Sequence, residues 1–82
     1  MKIGLQLLLN EFIDRNFTVG EMLDVLYNLH EIEEYRHIQE MYRKKEMYSE
    51  LTHYQNEEDG ARFMANKTLR KYDLEYEIDE LI

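Results

Sequence analysis

The stretch from Thr18 to Gln55 constrains this chain more than any other: its 38 residues include no proline and one glycine, Gly20. With so few breakers, helix is the economical reading, as one helix over about 19–55 or as shorter helices end to end. The apolar residues in it do not keep to one side. At about 100° per residue with Met22 at zero, Met22, Val25, Leu26 and Leu29 fall within about 60° of zero. Met47, Leu51 and Tyr54 return to that direction, with Tyr48 at its edge. Between them Tyr35, Ile38 and Tyr42 cluster near about 160–220°, with Met41 near about 100° and Tyr27 near about 140°. Glu33, Arg36, His37, Glu40 and Lys44 occupy the side that was apolar.

One straight helix buried on a single face cannot carry this pattern. Either the helix breaks, near Asn28–Glu31 or at Arg43–Glu46, or it stays continuous and gives its second face to a second chain. A continuous helix of about 37 residues is roughly 55 Å long, which requires an elongated shape and a dimer or bound partner. The reading adopted is a bent or broken helix.

Around this stretch the chain predicts an all-α fold of three to four helices in a single acidic domain, residues 1–82. Leu5, Leu8, Leu9 and Phe12 follow i, i+3, i+4, i+7 and place a first helix at Ile3–Arg15, with Ile13 at the edge of its stripe and Leu7 off it. After the short link Asn16-Phe17-Thr18, Thr18 is the N-cap of the next helix. Glu21 at N3 completes a capping box and Phe17 staples onto Met22. Gly20 in the first turn costs about 1 kcal/mol relative to alanine, so the cap matters. Asn56-Glu57-Glu58-Asp59-Gly60 reads as the clearest break, with Asn56 capping a third helix whose stripe is Ala61, Met64, Ala65, Thr68 and Tyr72. Asp73 to Ile82 fits a helix through Leu74, Ile78, Leu81 and Ile82 with Asp73 as cap. The alternation of Leu74, Tyr76 and Ile78 with acids also fits a strand, but no partner strand is evident. Either way Glu75, Glu77, Asp79 and Glu80 form an acidic surface.

Charge narrows the functions. The chain carries 18 acids and 10 lysines and arginines, net −8, with the excess in residues 1–35 and 57–82. Such a surface repels phosphate, so direct nucleic-acid binding is not expected. The two helices around Thr18 resemble a helix-turn-helix only in outline, because the second has no base before Arg36 where a recognition helix needs them. The same field attracts a basic partner.

The apolar runs are too short for a membrane span, and the start lacks the pattern of a cleaved leader, so no membrane association is expected. Zero cysteines fit a reducing cytosol, and the expected location is cytoplasmic.

No enzyme is expected. There is no glycine-rich phosphate loop, no cysteine nucleophile, and one serine, Ser49, in a helical context. Glu34-x-x-His37 and Glu50-x-x-His53 match a ligand pattern of di-iron bundles, and His30, Glu34 and His37 share a face. The two motifs lie in one helical stretch, however, not on facing helices, so no metal or other cofactor is assigned.

The best interaction surface is Tyr27, Tyr35, Ile38, Met41 and Tyr42. Tyrosine buries apolar area while its hydroxyl keeps a hydrogen bond. Glu31 and Glu34 rim it, and Arg43, Lys44 and Lys45 border its C-terminal side. The competing explanation is that a later helix covers these residues. The leading functional expectation is an acidic inhibitor or adaptor that docks on a basic, nucleic-acid-binding protein, its carboxylates imitating phosphates, as phage and mobile-element proteins of this size often do. A homodimeric regulator or scaffold is the alternative, and a metal-binding helical protein a minor one.

Overall fold

The computed structural model describes residues 3–82, except for the side chain of Ile3. Among the described residues are four helices, α1 (Ile3–Asp14), α2 (Val19–Lys44), α3 (Tyr48–Arg70) and α4 (Ile78–Leu81). No strand occurs among the described residues.

The capping box expected at Thr18 is present. Glu21 donates its backbone N–H to the Thr18 hydroxyl at 3.1 Å, and Thr18 donates its own to the Glu21 carboxylate at 2.9 Å. α2 then runs unbroken for 26 residues, about 39 Å at 1.5 Å per residue. Asn28–Glu31 is therefore not a break. The stretch divides at Lys45–Met47, overlapping the second site considered, Arg43–Glu46, and α3 turns back along α2 as an αα-hairpin. Cross-links show the antiparallel register: Glu21 with Lys71, Asp24 with Thr68, Gln39 with Glu58, and Tyr42 with Tyr54.

Three turns share one solution. Asn16, Glu46 and Asp73 each adopt a left-handed backbone, with φ of 56°, 57° and 58°. After each, the next N–H reaches back five residues: Phe17 to the Phe12 carbonyl, Met47 to Tyr42, and Leu74 to Leu69, at 3.0–3.1 Å. Asn16, Glu46 and Asp73 donate to Ile13, Arg43 and Arg70 in turn. This double pattern is the Schellman motif, which satisfies the last free carbonyls of a helix. Here it is closed each time without glycine.

Two boundaries differ from the sequence expectation. Asn56 to Gly60 lies inside α3 and caps nothing. Its acids find partners within the hairpin, Glu58 with Arg62 at 2.8 Å and with Gln39 at 2.9 Å. α3 instead begins at Tyr48, and Met47 makes no side-chain cap among the described residues. Asp73 likewise caps no helix, because it sits in the turn that ends α3. Leu74–Glu77 is irregular, and only Ile78–Leu81 is helical.

The core lies at one end of the hairpin. Leu8 and Phe12 of α1 and Phe17 of the link meet Val25, Leu29 and Ile32 of α2, Ala61, Ala65 and Leu69 of α3, and Leu74, Ile78 and Leu81 of the tail. Ala61 and Ala65 are small, and their place in the core lets α2 and α3 approach closely. Phe17 stacks on Tyr72 at a centroid distance of 3.9 Å and tilts against Phe12 at 4.8 Å. Ile13, expected at the edge of the stripe, is 75% exposed.

Beyond this core the hairpin continues as two helices alone. The radius of gyration, 14.1 Å, exceeds the roughly 12 Å of a rounded chain of this length, and the long axis is 45 Å against 22 and 19 Å. That shape accounts for the change of apolar side in α2. Its first half faces the core with Val25, Leu29 and Ile32, whereas its second half turns Tyr35 and Tyr42 toward Tyr54 of α3.

Candidate functional site

The proposed interface residues share one side of α2, and the structure distributes them between seam and solvent. Tyr27 and Met41 are 62% and 54% exposed. Glu34 is exposed, while Glu31, Tyr35, Ile38 and Tyr42 are half-buried. Tyr54 explains part of that burial, with ring centroids 6.0 Å from Tyr35 and 5.7 Å from Tyr42, stacked on the latter. The covering helix is thus α3, and the cover is partial.

Glu31 organises the outer part of this face. It stands one helical turn from both Tyr27 and Tyr35, and its carboxylate acts on both phenols. Its negative charge, then its hydrogen bond, raise the Tyr27 phenol above its ordinary pKa. For Tyr35 the hydrogen bond to Glu31 comes first and burial second. Both tyrosines therefore stay protonated throughout the physiological range.

Across the seam, α3 supplies residues that the sequence reading did not assign to a site. Tyr27, Asn28, Glu31 and Tyr35 of α2 line a groove of about 370 Å³ with Asn56, Glu57, Gly60, Ala61 and Met64 of α3. No lysine or arginine lines it among the described residues. Gly60 forms part of its wall, and a Cβ there would meet nothing within 4 Å among the described residues. A glycine in a helix interior costs about 1 kcal/mol relative to alanine. Packing inside this chain gives no return for that cost. The sequence signal is Gly60 itself, although by composition Asn56–Gly60 reads as a break in the chain.

The acidic surface expected at the tail has a different character. Glu75, Glu77 and Glu80 are exposed. Asp79 accepts from Arg62 at 2.9 Å and from Arg36, so it fastens the tail to α3 and α2. Those hydrogen bonds, from Arg62 first and Arg36 second, hold its carboxyl below the usual range.

The histidine patterns assemble no ligand set. His30 lies 3.9 Å from Glu34, and His53 lies 4.0 Å from Glu57, all exposed. No three His, Cys, Asp or Glu side chains group as metal ligands among the described residues. No helix among those residues is long and apolar enough to cross a membrane.

Comparison with known protein families, curated proteins and solved structures finds no match to this chain.

Proposed function

We propose that this protein is an acidic binding module, an inhibitor or adaptor, that docks on a basic nucleic-acid-binding protein through the α2–α3 face. The observation that carries the reading is the set Tyr27, Glu31 and Tyr35 beside Glu57. Aromatic contact area and paired carboxylates share one groove with no lysine or arginine on its walls among the described residues. Tyrosine rings in that setting supply apolar area with little side-chain entropy to lose, and the carboxylates select a positive partner. Met41 extends the contact along α2 toward the hairpin tip. The net charge of −8 opposes pairing of this face with its own copy, which favours a basic partner over the homodimer. The protein acts by occupying its partner's cationic site, its carboxylates standing where phosphates would.

Affinity purification from the native host, repeated across a salt series, tests this. The expected partner is a basic protein whose retention falls as ionic strength rises. Tyr27→Ala with Met41→Ala, both at exposed positions, should release it while leaving the helical content unchanged. Retention that ignores salt, or that survives both substitutions, contradicts the reading.

A further inference from the structure

The groove holds room for a specific occupant. At about 370 Å³ it stands at the lower end of the ~300–1,000 Å³ range of small-ligand sites. It runs along the surface seam between two helices, which suits one side chain entering from solvent. Its chemistry is equally narrow. Glu31 and Glu57 supply two carboxylates from opposite helices, Tyr27 and Tyr35 supply ring faces, and Asn28 and Asn56 supply amides. Gly60 keeps the α3 wall low at a position where the chain's own packing does not need a glycine. Glycine in such a place permits close approach of an outside group to the helix backbone.

We propose that this groove seats a single arginine side chain of the basic partner, its guanidinium stacked on the Tyr27 or Tyr35 ring and hydrogen-bonded to Glu31 and Glu57 across the Gly60 gap. This rests on the basic-partner reading above and names the point at which that partner is gripped. Arginine fits better than lysine because its planar fork donates to a carboxylate in two places and stacks flat on an aromatic ring. A lysine brings a compact charge that uses neither the plane nor the second carboxylate as well.

The test is an NMR titration of the full chain with N-acetylarginine amide, set against its neutral isostere N-acetylcitrulline amide. Arginine amide should shift the Gly60 backbone signal and the Tyr27 and Tyr35 ring signals to saturation, and citrulline amide should leave them in place. Glu31→Gln should weaken the arginine titration by about tenfold. Gly60→Leu, which introduces a good helix former while filling the gap, should abolish it with the circular dichroism unchanged. Equal shifts with citrulline, or shifts confined to Glu75–Glu80, overturn the proposal.

A nona-arginine peptide separates this inference from the reading beneath it. Salt-sensitive binding of the peptide that Gly60→Leu leaves intact overturns the arginine seat alone. Failure of the peptide to bind the wild-type chain even at low salt overturns both.

Discussion

Lys71 Nζ lies 2.6 Å from Glu21 Oε2 and ties the last turn of the hairpin to its first. The same Glu21 caps α2 through the Thr18 N–H and accepts from the Tyr72 hydroxyl. One carboxylate thus joins a local helix signal to the closure of the core. These bonds, Lys71 first, then Tyr72 and the Thr18 backbone, lower its pKa to about 2.

A pH dependence follows. A carboxyl held lower in the folded state than in the unfolded chain stabilises fully above the unfolded value, about 4.3 for glutamate, and loses that contribution as pH falls through the folded value. Stability should therefore decline between about pH 4.5 and 2, with Asp79 adding in the same direction. Thermal melts across this window check it. Glu21→Gln should melt lower at neutral pH and show a flatter acid limb than wild type.

Gly4 has the opposite requirement from Gly60. A Cβ on Gly4 would stand 2.6 Å from the Glu80 carbonyl oxygen, so the tail and α1 meet there backbone to backbone. Gly4→Ala must push α4 away and should destabilise by about 1–3 kcal/mol, the usual range for overpacking. Urea unfolding monitored by circular dichroism measures it. An unchanged midpoint contradicts the contact.

At the hairpin turn, Glu46 holds a left-handed conformation that costs a side-chain-bearing residue roughly 1 kcal/mol or more. Glu46→Gly should recover about 1 kcal/mol in the same assay, because glycine is the usual residue at this position of a Schellman motif. Gly60→Ala should gain about as much, through helix propensity alone. The two changes lie in separate elements and should add.

These sites also show what could be read from residues. The Thr18–Glu21 cap was legible because it is local: two side chains and two backbone N–H groups within four residues. The change of apolar side in α2 was legible as a pattern, but its cause was not, since the core and the Tyr35–Tyr42–Tyr54 seam exist only once α3 has folded back. The break at Arg43–Glu46 was legible from the shift of apolar side, although glutamate, a helix former, does not mark Glu46 as the left-handed residue.

Asn56–Gly60 misled in the other direction. Its composition is that of a loop, yet Glu58 meets Arg62 and Gln39, and buried Ala61 follows directly. Tertiary partners outweighed propensity there. For the candidate site, α2 announced its tyrosines and Glu31, while the α3 wall became a wall only through the hairpin register.

In the proposed function, the Tyr27–Glu31–Tyr35 side of the hairpin grips a basic protein. The most direct measurement is the dissociation constant for the purified basic partner as a function of salt, for wild type and for Tyr27→Ala with Glu31→Gln. Wild-type binding should weaken steadily as salt rises. The double variant should bind at least about tenfold more weakly at low salt, with a shallower salt dependence. Identical constants and identical slopes for the two proteins would contradict it.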